Sequence, residues 1–152
     1  MSGIDYAMVR SVSVYEFPDV RPEFLDARAE DDKRLAERVN DQELKRLAIE
    51  YLSWSRAMSK KFDGKMYEYH NLMRRYAEAD ARLGYPNIDP ITQVELEDLL
   101  EELEEVRKRL LEEIKSIALQ VVYRNDHYIQ ESERARERIA REELGISVGE
   151  GL

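Results

Sequence analysis

From Ile91 to Leu144 the chain contains neither glycine nor proline. Apolar residues recur there every three or four positions: Leu96, Leu99, Leu100, Leu103, Val106, Leu110, Ile114, Ile117, Val121, Tyr128, Ala135 and Ile139. That spacing is one face of an α-helix. A helix of roughly 54 residues measures about 80 Å at 1.5 Å per residue. A compact domain of this chain's length has a radius of gyration of only about 15 Å. The chain is therefore expected to be a rod, a long hairpin or a subunit of something larger. The pattern drifts with a period nearer 3.6 than 3.5, which disfavours a long coiled coil. Beyond Tyr123 the row becomes wetter, with Asn125 and Ser132 on the same line.

The start of this helix is marked by Asp89-Pro90, a capping residue followed by proline at the first position. Thr92 and Glu95 offer a second capping-box spacing. Its expected span is 90–144, with Leu144-Gly145-Ile146 as a glycine stop. A second long helix is expected over 41–83. Asn40 with Glu43 has the capping-box spacing, and Leu44, Leu47, Tyr51, Trp54, Met58, Phe62, Tyr69, Met73 and Tyr76 form its apolar row. Gly64 lies inside it, where glycine costs about 1 kcal/mol relative to alanine and can mark a kink or a close approach. Leu83-Gly84-Tyr85-Pro86 reads as a left-handed glycine cap followed by proline. The short connection predicts that the two long helices are antiparallel neighbours.

A first helix is expected over 22–39, opening on Pro22. Its apolar row is thin (Phe24, Leu25, Leu35 and Val39) and is interrupted by Asp31, Asp32 and Lys33. It is therefore expected to be largely exposed in a monomer. The last turns of the third helix, and the first helix with them, are expected to need another surface to cover them. Residues 1–21 read as an extended arm and linker. Val12 and Val14 alternate with Ser11, Ser13 and Tyr15, with Phe17 following. A strand there needs Ile146-Ser147-Val148, another subunit or water to satisfy its backbone groups, and a flexible arm is the alternative. The expected fold class is all-α: an elongated antiparallel helical hairpin or bundle of three helices, with 22–152 as one helical domain behind the arm.

Composition narrows the function. The net charge of −9 argues against a general nucleic-acid coat. Cysteine is absent, which removes disulfide frameworks, thiolate catalysis and the usual structural zinc sites. No apolar run approaches the roughly 20 residues of a membrane span. Residues 1–10 lack the pattern of a secretory signal, so a cytoplasmic or virion location is expected. Glu and Arg are abundant while Asn, Gln and Thr are scarce, a balance like that of thermophile proteins.

No motif marks a reaction. A di-iron site in a bundle uses Glu-x-x-His pairs, but Tyr67 precedes His70 and Arg124 precedes His127 at that spacing. His127 and Glu131 share a face and read as a solvated polar pair. No phosphate-cradling glycine loop or nucleophile elbow is present. The chain is expected to have no catalytic residue, no metal, no cofactor and no small-molecule substrate.

Three surfaces stand out instead. On the second helix Arg56, Lys60, Tyr67, Asn71 and Arg74 fall opposite the apolar row. Arg75, Lys61 and Lys65 lie at its borders. Residues 41–84 hold nine basic and seven acidic side chains, so this face could meet a partner or a phosphate backbone. The third helix carries its complement, with Glu101, Glu102, Glu104 and Glu105 in two turns ahead of Arg107, Lys108 and Arg109. Glu104–Lys108 and Glu105–Arg109 have favourable i, i+4 order. The acidic face would match a basic helix of a neighbouring subunit. Tyr67 and Tyr123 lie off the apolar rows, where tyrosine suits a subunit contact. The third surface is the arm, with Val12, Val14, Tyr15 and Phe17 as its assembly residues.

These features favour a non-catalytic assembly subunit whose main partner is a second copy or a closely related subunit. An arm followed by a helical hairpin is similar in plan to the helical-bundle coat subunits of filamentous archaeal viruses, in architecture and composition and through no residue motif. The alternatives are an acidic helical adaptor that docks on a nucleic-acid-processing protein, and direct nucleic-acid binding through the second helix, aided by Arg10, Arg21 and Arg28.

Overall fold

The computed structural model describes residues 21–142. The proposed arm residues Val12, Val14, Tyr15 and Phe17, with Arg10 and the stop at Gly145, lie outside them. Among the described residues there are three helices and no strand: α1 (Asp26–Val39), α2 (Gln42–Leu83) and α3 (Pro90–Glu142). The all-α expectation holds. Packing divides the described chain into two compact units. A hairpin unit contains Arg21 and residues 61–118. A three-helix unit contains residues 22–60 and 119–142.

The hairpin unit pairs the second part of α2 with the first part of α3. Phe62, Tyr69, Leu72, Met73, Tyr76 and Ala79 are buried, as are Leu96, Leu100, Leu103, Leu110, Ile114 and Ile117. These are rows at three- and four-residue spacing, as the sequence predicts. Lys65 of α2 meets Glu113 of α3 at 2.8 Å, which fixes the level of one helix against the other. The connecting loop differs from expectation. Gly84 is not left-handed; its N–H reaches the Ala81 carbonyl at 3.1 Å, and Tyr85 N–H reaches Arg82 at 3.2 Å, tightening the end of the helix. The left-handed residue of the loop is Asn87, with φ 63°. Asp89 caps α3 as the sequence predicts. It accepts the Thr92 N–H at 2.9 Å and the Thr92 hydroxyl at 2.7 Å, and these bonds hold its carboxyl below the usual range.

The three-helix unit overturns the expectation of an exposed first helix. α1 buries Ala29, Asp32 and Ala36 against the first part of α2 and the last part of α3. Their partners are Leu44, Leu47, Tyr51, Tyr128, Ala135 and Ile139. The two alanines leave little side chain between the helices. Leu25, Leu35 and Val39, three of the four residues on the expected apolar row, pack half-buried against the same cluster, and the small residues between them make the closest approach. α1 thereby covers the last turns of α3, which need no outside surface in this unit.

α1 also starts later than Pro22. Residue Leu25 precedes the helix at φ −97° and ψ 38° with no side-chain cap of its own. Its N–H is satisfied by the Tyr51 hydroxyl at 2.9 Å. At the other end Asn40 terminates α1 in the left-handed conformation (φ 57°) and does not cap α2. Asp41 does so, accepting the Leu44 N–H at 2.9 Å. The one-residue shift from the expected Asn40–Glu43 box arises because the turn needs a left-handed residue, and asparagine tolerates that conformation.

Candidate functional site

The polar interior of the three-helix unit is its most unusual feature. Asp32 is 0% exposed. The Tyr128 hydroxyl donates to its Oδ2 at 2.5 Å, and Arg136 Nε donates to its Oδ1 at 2.6 Å. Burial, and then the hydrogen bond to Asp32, push the Tyr128 hydroxyl far above the usual tyrosine range. A second network ties the start of α1 to both long helices. Tyr51 donates to Asn125 Oδ1 at 2.6 Å, and Asn125 Nδ2 donates to the Glu23 carbonyl at 2.7 Å. Ser55 donates to Asp26 Oδ1 at 2.6 Å. The Arg124 guanidinium lies 5.5 Å from the Tyr51 ring centroid and 5.6 Å from that of Trp54. Burial raises the Tyr51 hydroxyl as well.

Sequence reasoning treated Asp32 as an interruption and Asn125 as wetness on an apolar line. Asp32 is a buried, partnered group, and Asn125 is half-buried and partnered on both its amide atoms. A signal was available: Asp32 lies between Ala29 and Ala36 at helical spacing, and Tyr128 and Arg136 offer matched donors. Each Asp32 oxygen accepts a hydrogen bond from α3, so the cluster ties α1 to α3. A shallow depression above it is lined by Arg28, Asp31, Asp32, Glu133 and Arg136. Its charges are paired, Arg28 with Glu133 at 3.3 Å and Arg136 with Asp32. Among the described residues no three His, Asp or Glu side chains gather as a metal site would need. His127 is exposed, and Glu131 meets Arg134 at 3.0 Å.

The outer faces are where the candidate contact residues stand. In the hairpin unit Tyr67 is 69% exposed, and Arg74 and Arg75 are exposed. Asn71 is half-buried and accepts from Arg74 at 2.9 Å. Lys65 is turned toward α3; Glu113 is the main reason its ammonium is held above the usual lysine range. Arg21 pairs with Asp63 at 2.6 Å. In the three-helix unit Arg56 and Lys60 are exposed on α2.

The acidic row is narrower than expected. Glu101, Glu102 and Glu105 are exposed, but Glu104 is half-buried and folds onto Arg107. That guanidinium holds the Glu104 carboxyl below its usual range. The two expected i, i+4 pairs do not form. Glu104 takes Arg107, Glu105 takes Lys108 at 3.9 Å, and Arg109 turns to Glu113 at 4.0 Å. The reason is Arg107: half-buried near Tyr69 and Tyr76, it draws Glu104 to the edge of the core.

Exposed apolar side chains complete the surface. The hairpin unit presents Tyr85, Ile91 (73% exposed) and Val94, and the three-helix unit presents Leu119, Val122 and Tyr123 (71% exposed). Tyr67 and Tyr123 therefore stand outward, as their positions off the apolar rows predict. No helix among the described residues is long and apolar enough to cross a membrane. Comparisons with protein-family models, with curated proteins and with solved structures found no match.

Proposed function

We propose that this chain is a non-catalytic structural subunit that associates with further copies of itself. The observation that carries the reading is the grouping of large apolar side chains on solvent-facing turns. Leu119, Val122 and Tyr123 occupy i, i+3 and i+4 of one face of α3 and are all exposed. Scattered exposed hydrophobics are ordinary; three on adjacent turns make a patch of the kind that associating proteins bury. Covering a Leu or Val side chain is worth about 1.5–3 kcal/mol. Such subunits build filaments, shells or virion coats.

The test is the absolute mass in solution, by light scattering behind a sizing column over a range of protein concentrations. The expected mass is a multiple of the 18.0 kDa chain that grows with concentration. A mass of one chain at every concentration refutes the reading. It would favour a second one, an acidic adaptor that docks on a basic protein. Support for that alternative comes from residues 90–105, where acidic side chains occur without a single basic one.

A further inference from the structure

The two helices of the hairpin unit carry opposite charge on opposite outer sides. At 100° per residue, Tyr67, Asn71, Arg74 and Arg82 fall on the side of α2 away from its buried row of Phe62, Tyr69, Met73 and Tyr76. Val94, Asp98, Glu101 and Glu105 fall on the side of α3 away from Leu96, Leu100, Leu103 and Leu110. Because the two buried rows face each other, these outer rows look in opposite directions. Arg74, Arg75 and Arg82 are exposed on the first side, with Glu78 the acidic member among them. The second side shows Asp98, Glu101, Glu102 and Glu105 beside the exposed apolar Ile91 and Val94.

We propose that the Tyr67–Arg74–Arg75–Arg82 side of α2 in one copy docks on the Val94–Asp98–Glu101–Glu105 side of α3 in the next copy. This rests on the self-association reading and names its surfaces. The register follows from the structure. Lys65 and Glu113 meet, so stepping down α2 and up α3 puts Arg74 level with Glu104 and Arg82 level with Leu96. A neighbour displaced sideways with no axial shift then sets Arg74 and Arg75 within a turn of Glu101 and Glu105. It sets Arg82 beside Asp98 and Val94. The apolar Ile91 and Val94 supply area that the ion pairs alone lack, since exposed pairs contribute little. The two sides are different patches, so the contact is heterologous. Each added copy leaves one of each side open, and the contact propagates into a row or a ring. Complementary charge sets register and partner choice more than affinity.

A charge-reversal cycle on the full chain tests this. The first variant carries Arg74→Glu with Arg75→Glu, the second Glu101→Arg with Glu105→Arg, and the third all four. Every altered side chain is exposed, and helical circular dichroism checks that each variant is folded. In the first and second variants the concentration needed for assembly is expected to rise about 100-fold, because like charges then face each other. In the third it is expected to return to within about tenfold of the original, with the polarity of the contact reversed. If the unaltered chain assembles and either pair of reversals leaves its assembly unchanged, the proposed faces are wrong while self-association stands. A third variant that stays dispersed although folded overturns the pairing in the same way. If the unaltered chain is a single copy at every concentration, both the pairing and the self-association reading fall.

Discussion

The buried Asp32 makes the sharpest claim about what holds α1 in place. Asp32→Ala removes the acceptor of the Tyr128 hydroxyl in a site with no solvent access. A buried donor left unsatisfied costs about 1–3 kcal/mol. The lost pairing with Arg136 adds less. That side chain is 41% exposed and can turn to water, so its share is about 1 kcal/mol. The expected total is about 2–4 kcal/mol. Tyr128→Phe removes the donor and leaves a buried carboxylate oxygen without its partner, at a cost of about 1.5–3 kcal/mol. The double variant removes both ends of the bond. It should therefore be more stable than the sum of the single losses predicts, by about 1–3 kcal/mol. Trp54 is the single tryptophan and lies in the same unit, 5.6 Å from the Tyr51 ring centroid. Its fluorescence in a urea titration follows the environment of that unit. A midpoint for Asp32→Ala that matches the unaltered chain, or strictly additive losses in the cycle, would refute the argument that this carboxylate fastens α1.

Two further outcomes are expected. Gly64→Ala should stabilise the hairpin unit by about 0.5–1 kcal/mol, because a Cβ there meets nothing within 4 Å and Gly64 lies within α2; a lower melting midpoint by circular dichroism would show that the glycine serves a contact. Burial pushes the hydroxyls of Tyr128 and Tyr51 above the usual tyrosine range, so each favours the folded state fully below about pH 10 and loses that contribution as pH rises through its folded value. Absorbance titration should accordingly show a fraction of the tyrosines, Tyr51 and Tyr128 among them, ionising only as helicity is lost, and complete tyrosine ionisation with the helices intact would contradict their burial.

What the sequence disclosed and what it hid follow one rule. Rows of Leu, Ile, Tyr and Phe at helical spacing announced α2 and α3, and Asp89-Pro90 marked the start of α3. Position off those rows was enough to place Tyr67 and Tyr123 outside. The first helix is legible too, with Leu35 and Val39 on its apolar row, but the burial of Ala29, Asp32 and Ala36 beside them is not. Alanine contributes little apolar area, and an acidic residue reads as solvent-facing unless its partners are known. Those partners, Tyr128 and Arg136, lie about a hundred positions along the chain. A local pattern cannot express a contact of that separation. The same limit explains Glu104. Its four-residue neighbour Lys108 is visible in sequence, but its choice of Arg107 depends on the proximity of that guanidinium to Tyr69 and Tyr76 across the helix pair.

Small residues on the contact row of α1 raise a problem of register. Alanines at the closest approach offer few knobs to stop a helix sliding by a turn along its neighbours, and the larger apolar side chains that α1 adds there are Leu35 and Val39. The polar contacts supply what the alanines lack. Asp32 must meet both Tyr128 and Arg136, Asp26 must meet Ser55, and Glu23 and Leu25 must meet Asn125 and Tyr51. A slip of one turn breaks all of them together and strands Asp32 in an apolar site, where an unpaired charge is costly. Buried polar groups are weak sources of net stability, yet here they select one arrangement among several of similar apolar burial. For a chain whose proposed role is to present fixed outer faces to other copies, that selection matters more than the few kcal/mol an apolar core would add. Apolar substitution at Asp32 and Tyr128 together could therefore leave the helices intact while loosening the position of α1.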